Sequence, residues 1–266
     1  MMKLLPLLAL AVVLTACSIR TQTTSGHDYL ARFDADKAAA RQIGKRTGQA
    51  KPGNGADVKL DPAIKRAASV EPLLRFPARL GLARLFQGRL TAVPAEEADL
   101  WAKLVDRNRG LGSFDVVDPL VAHSTANTGC LTCSPDVGRI VETIRLGAAR
   151  QHLDAVLIYE VGAKGGSEAN GLAFMDLTII GGAILPTRSI EVEGVAKALL
   201  LDVRNGYPYG SATASVDLSS LSPSWGSDAR AERLRRDALT RVTASLIPEV
   251  ETMFKNLRTG LNQRKR

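Results

Sequence analysis

Apolar and polar positions along this chain alternate with two different periods, and the change of period marks its elements. "LLRFPARLGLARLF" (73–86) is a short apolar run of strand length, with Leu80, Leu82 and Ala83 near its centre. Pro77 suits an early position in that strand or a sheet edge. "PAEEADLWAKLVDRN" (94–108) has helical spacing: Pro94 opens it, Glu96, Glu97 and Asp99 fall in the first turns, and Leu100, Trp101, Leu104 and Val105 form one face. "SFDVVDPL" (113–120) reads as a strand closed by Asp118-Pro119. "SPDVGRIVETIRLGAARQH" (134–152) is a second helix, capped by Ser134 with Pro135 behind it and striped by Val137, Ile140, Val141 and Ile144. "LDAVLIYEVGA" (153–163) is continuously apolar, as in a central strand covered on both faces. The order so far is βαβαβ.

The second half adds a hairpin and a helix. "SIEVEGVAKALLLDVRNGYPYGSATASVDLSS" (189–220) places an Asn205-Gly206 turn between two β-rich runs, the strongest short-range hairpin signal. "SDARAERLRRDALTRVTASLIPEVETMFKNLR" (227–258) carries Leu239, Val242, Leu246, Val250, Met253 and Leu257 on one stripe. Pro248 inside that stripe predicts a kink or break near Leu246. The expected fold is therefore α/β, an α+β sandwich: βαβαβ, then a β-hairpin and a long C-terminal helix, with helices packed on one small mixed sheet. "GLAFMDLTIIGGAILPTRS" (171–189) is apolar but broken by Asp176, Gly181-Gly182 and Pro186; a buried strand or short helix is the plainer reading, and contact with membrane or partner the other.

The N-terminus follows a different pattern. After Met1-Met2-Lys3 an apolar run extends from Leu4 to Leu14, followed by Thr15-Ala16-Cys17. This is an export signal, too short for a spanning helix. Its "LTAC" resembles the lipobox of bacterial lipoproteins. That resemblance implies cleavage between Ala16 and Cys17, a diacylglycerol on the Cys17 thiol and acylation of the new amine. Several acyl chains on one residue anchor firmly. Ser18 stands where enterobacterial sorting uses aspartate for inner-membrane retention, so the outer membrane is the expected destination, with the domain facing the periplasm. The expected division is a signal peptide (1–16), a lipidated anchor with a flexible polar spacer (17–72), an α/β domain (73–260) and a basic tail (261–266). Within the spacer, "SIRTQTTSGHD" reads as a tether, "YLARFDADKAAARQIGKR" as a short helix with little apolar face, and "TGQAKPGNGADVKLDP" as a linker.

Composition narrows the function. The formal net charge is +8, yet aromatic residues make up only 5% and do not interleave with the basic ones, so nucleic acid is not an expected partner. An exported basic protein meets anionic headgroups instead. Candidate chemistry centres on "GCLTCSPD" (129–136). Cys130 and Cys133 precede the helix rather than sitting on its N-terminus, where a redox thiolate would be stabilised. His123 with these cysteines, plus Asp118 or Asp136, falls short of the paired ligand motifs of a zinc site. With Cys17 lipidated, the two remaining cysteines in an oxidising compartment are expected to form a disulfide. His27 lies in the tether and His152 at a helix end. "VGAKGGSEANG" (161–171) lacks the spacing of a phosphate loop, and Ser167 and Ser224 have no His/Asp set near them. No catalytic residue, metal or cofactor is expected.

"ARLGLARL", "DAVLIYEVG", "FMDLTIIGGAILPTRSIEVEG" and "ALLLDVRNGYPYGSATA" resemble the rhombotarget-type bacterial lipoproteins. They are similar, more distantly, to the α/β domain of curli-secretion lipoproteins, penicillin-binding-protein activator lipoproteins and the N-terminal domain of TolB. The likeness covers about residues 73–260, and "LLDVRNGYPYG" is its most specific element. It implies a small sheet with helices on its face and a role as envelope adaptor, anchor or secretion-pore subunit, without a catalytic set. Processed rhombotarget proteins carry a glycine-rich tail and apolar helix, whereas this sequence closes on "NQRKR". The room for pore-forming hairpins is at most one. The leading expectation is a non-enzymatic outer-membrane lipoprotein that binds an envelope protein partner or assembles with itself as a homo-oligomer. The alternatives are a secretion-pore subunit built on 171–189 and a thiol-disulfide enzyme using Cys130 and Cys133.

Overall fold

The computed structural model describes residues 18–46, 60–125, 137–165, 189–221 and 227–264. In chain order the elements are β1 (Ser18–Thr21), α1 (Gly26–Arg46), α2 (Pro62–Ala68), β2 (Ala78–Phe86), β3 (Arg89–Thr91), α3 (Ala95–Arg107), β4 (Gly112–Val116), α4 (Pro119–Thr125), α5 (Val137–Arg150), β5 (Ala155–Lys164), β6 (Ser189–Asp202), β7 (Pro208–Leu221) and α6 (Ser227–Gln263). The seven strands form one mixed sheet in the order β1-β7-β6-β5-β2-β3, with β4 also paired to β2.

The parallel core explains where the helices go. β2 is parallel to β4 on one side and to β5 on the other. The chain leaves β2 through α3 to reach β4, then turns back through α4 and α5 to reach β5. Crossovers of one hand that travel in opposite directions put their helices on opposite faces of the sheet. Trp101 and Leu104 of α3 accordingly join Leu80, Leu82, Leu157 and Tyr159 on the first face. Ala122 of α4 with Ile144 and Ala148 of α5 joins Ala83, Val156 and Ile158 on the second. β5 is thus covered on both sides, as its unbroken apolar run predicts. The hairpin β6–β7 extends the sheet antiparallel to β5, and α6 returns across the first face.

Four features sharpen or depart from the pattern. The first is β2, where Pro77 takes the early position and not the edge: it sits just ahead of the strand, where no ladder donor is required, and the strand pairs on both sides. A second is α6, which is unbroken through Pro248. A proline inside a helix costs about 3 kcal/mol, but Leu246 and Ile247 before it and Val250, Met253 and Leu257 after it are all buried on the sheet. At about 1.5–3 kcal/mol for each fully buried side chain, that stripe outweighs the proline. Third, β4 ends at Val116 and Pro119 opens α4 rather than closing a strand. The fourth is the segment read as a tether. Ser18–Thr21 is an edge strand, paired antiparallel to β7 from Ser18↔Thr213 to Thr21↔Gly210. Gly210 accommodates it, since a Cβ there would lie 2.5 Å from the carbonyl oxygen of Arg20.

Candidate functional site

The hairpin that carries the family resemblance forms a polar corner. The β6–β7 turn closes with Gly206 N–H donating to the Asp202 carbonyl and Asp202 N–H to that of Tyr207, with Gly206 at φ 75°. The Asn205 side chain accepts from Tyr207 N–H at 3.0 Å and donates to the Glu71 carbonyl at 2.7 Å. Asp202 is fully buried. Its Oδ1 accepts from Arg204 N–H (2.9 Å) and Nε (3.0 Å), and its Oδ2 from an Arg204 terminal nitrogen (2.9 Å) and the Tyr209 hydroxyl (2.7 Å). The Tyr209 oxygen in turn accepts from Leu73 N–H (2.9 Å) and Leu74 N–H (2.6 Å). Burial, then the adjacent Asp202 carboxylate, pushes the Tyr209 phenol well above its ordinary range. Arg204 is held more firmly charged by its bonds to Asp202. The "D-x-R-x-G" signature is therefore a device for closing a turn and binding residues more than a hundred positions away.

The same corner secures the N-terminal segment. Gln22 N–H donates to the Tyr209 carbonyl, and the Tyr207 hydroxyl to the Thr24 carbonyl at 2.7 Å. Ser25 caps α1, its hydroxyl accepting from Asp28 N–H and donating to Glu71 Oε1 at 2.8 Å. Glu71 also accepts from His27 N–H at 2.8 Å and pairs with Arg264 at 3.1 Å. The His27 N–H, ahead of the other donors, holds the Glu71 carboxyl below the usual carboxylate range.

A second buried polar cluster lies between β2, β5 and α3. Arg84 makes a forked pair with Glu97, Nε to Oε2 at 2.9 Å and a terminal nitrogen to Oε1 at 3.0 Å. The Tyr159 hydroxyl donates to Glu97 Oε2 at 2.7 Å, and Arg84 also reaches Thr91 Oγ1 at 3.1 Å. The Tyr159 ring packs 5.1 Å from Trp101, and the Arg84 guanidinium lies over Phe86. Burial, then the Glu97 charge, drives the Tyr159 phenol far upward. Sequence reasoning treats Glu97 only as a first-turn acid. The available signal is Arg84, the buried one of the two cations in the apolar strand "ARLGLARLF"; Arg79, the other, is exposed.

Cys17, Cys130, Cys133, Ser134, Pro135, Asp136, Ser167 and Ser224 lie outside the described residues, as do the apolar stretch 171–188 and the linker 47–59. Asp118 is committed to capping α4, its Oδ1 accepting from Leu120 N–H (2.7 Å) and Val121 N–H (3.3 Å). His123 is exposed on α4, and His152 follows α5 in a left-handed conformation at φ 57°. Among the described residues, no group of three or more His, Cys, Asp or Glu side chains is placed to hold a metal, and no helix is long and apolar enough to cross a membrane. The surface does expose apolar side chains at β4, which among the described residues pairs only with β2, and at α4: Val116 is 43% exposed and Leu120 80%.

No protein-family model and no curated protein matches the sequence. Several solved structures are similar in fold. A PelC dodecamer from Paraburkholderia phytofirmans aligns at 14% identity over 68% of this chain and 87% of that one, with a TM-score of 0.32. The LpoB C-terminal domain from Salmonella enterica aligns at 14% identity over 54% and 85%, TM-score 0.28. Lipoprotein GNA1162 from Neisseria meningitidis aligns at 17% identity over 62% and 98%, TM-score 0.29. At this level the likeness carries no inference about activity.

Proposed function

We propose that this chain is a non-enzymatic lipoprotein of the bacterial outer membrane, anchored through Cys17 and acting by contact with an envelope protein. The observation that supports the reading is how its strongest polar groups are used. Asp202, Tyr209, Arg84, Glu97 and Tyr159 are the buried side chains that catalysis would recruit, and each is bonded to another or to distant backbone. They hold segments together. What the surface offers is suited to protein contact: β4 pairs on one side only among the described residues, and Val116 and Leu120 are exposed. The resemblance to rhombotarget-type lipoproteins at "LLDVRNGYPYG" fits such an adaptor.

Photo-crosslinking in cells tests the reading. A crosslinker at Leu120 is expected to give a discrete adduct that is absent with the crosslinker at Lys103, on the exposed side of α3. The adduct should be lost when Cys17→Ser removes the anchor. Equal, diffuse labelling from both positions would count against an adaptor surface here.

A further inference from the structure

The residue that follows Cys17 is already in the sheet. Ser18, the next residue in sequence after Cys17, pairs with Thr213. Any acyl group on Cys17 is thus joined to the folded domain by a leash of one residue. The strand itself is secured behind that point by Gln22 N–H on Tyr209, Thr24 on Tyr207 and Ser25 on Glu71. The segment from Ser18 to Ser25 is therefore no flexible spacer between the anchor and the domain.

The direction of β1 is also fixed. β1 is antiparallel to β7, so its N-terminal end points along β7 from Thr213 toward Leu221. Eight residues of β7 continue past that point, a span of about 26 Å at strand rise. A membrane within reach of Cys17 must therefore lie along the β1–β7 edge of the sheet. That edge has the chemistry of a headgroup surface. Ile19, Ala212 and Ala214 turn into the first core, while the alternate residues Arg20, Ser211, Thr213, Ser215, Asp217 and Ser219 face the other side. Among the described residues, the second core takes no member from β1 or β7. Arg20 is exposed, three residues from the lipidated position, where a cation meets phosphate.

We propose that the domain sits directly on the lipid surface by its β1–β7 edge, with Arg20 and the β7 hydroxyls among the headgroups and the β4 edge turned away from the membrane. This rests on lipidation at Cys17. The two edges are separated by five strand spacings, about 24 Å, which leaves the Val116 and Leu120 surface accessible to a partner.

Full-length lipidated protein in vesicles of phosphatidylethanolamine and phosphatidylglycerol tests it, with Cys130→Ser and Cys133→Ser in the background. A fluorophore at Asp217→Cys is expected to be quenched several-fold more by headgroup-spin-labelled lipid than one at Asp115→Cys on β4. Equal quenching at both sites overturns the seating. An insert of about ten Gly and Ser residues after Cys17, with a root-mean-square reach of about 17 Å, is expected to erase the difference; a difference that survives overturns the short leash as its cause. Circular dichroism confirms that each variant is folded. Vesicle flotation and radiolabelled palmitate incorporation separate the two readings. Protein that takes up no palmitate fails the lipidation reading and the seating with it, whereas protein that floats but shows equal quenching fails the seating alone.

Discussion

The two buried polar clusters use similar groups for different purposes. Both contain a carboxylate, an arginine fork and a tyrosine hydroxyl. In the Arg84–Glu97–Tyr159 cluster all three side chains are buried and charge is balanced within the core. In the corner, Asp202 and Tyr209 are buried, but the Arg204 side chain is 47% exposed and the tyrosine oxygen spends its acceptor capacity on backbone 135 and 136 residues away. The first cluster joins neighbours that would pack together in any case. The second joins the turn to backbone far away in sequence at the rim of the domain, so its loss should be local where that of the first is global.

The largest effect should come from unbalancing the core pair. Glu97→Ala leaves the Arg84 guanidinium buried without its partner, a change of about 3–5 kcal/mol. Urea denaturation should show it as a lower midpoint with an unchanged slope. Replacing both, Arg84→Met with Glu97→Leu, should recover most of that loss, since a buried pair is commonly no better than apolar groups of like volume. A double variant as unstable as the single one would mean that Tyr159, left without its acceptor, carries the cost instead.

Tyr209→Phe should be milder, at about 1–3 kcal/mol, because it strands the Leu73 and Leu74 N–H groups and removes one donor from Asp202. Its signature is distribution. Hydrogen exchange should rise in residues 71–76 and 22–25, while β5 and α5 stay protected. Uniform loss of protection across the sheet would erase the contrast between the two clusters.

The contrast also shows what the sequence makes legible. Elements defined by their own periodicity are readable: β5 from its continuous apolar run, α3, α5 and α6 from their stripes, and the β6–β7 hairpin from Asn205-Gly206. Elements stabilised by partners far away in sequence are not. Ser18–Thr21 looks like tether because "SIRT" has no apolar alternation; it is a strand because β7 supplies its ladder and Gly210 leaves room for it. β3 is three residues held by β2. Pro248 signals a break, and burial on both sides of it overrides the signal. The candidate site divides the same way. The "D-x-R-x-G" turn is visible as a motif, but its use is not, because Leu73, Leu74, Glu71 and Thr24 lie far from it along the chain. Glu97 reads as a dipole acid because Arg84 and Tyr159 are 13 and 62 residues away.

The smallest predicted effect concerns Glu71, the outermost link of the corner, which is exposed enough for water to screen its pairing with Arg264. Its folded carboxyl titrates below its unfolded value, chiefly because His27 N–H donates to the ionised form. A depressed folded value contributes stability that is present above the ordinary glutamate value of about 4.3 and is lost as pH falls through the folded value beneath it. Acid below about pH 4 should therefore loosen the start of α1 while both cores stay intact. The His27 amide proton provides the readout: its chemical shift should titrate with a midpoint below about 4.3 and be flat in Glu71→Gln. A midpoint at or above the ordinary value would show that Glu71 does not hold α1. In that case the bond from Tyr207 to Thr24 and the β1–β7 ladder would keep the N-terminal segment on the sheet.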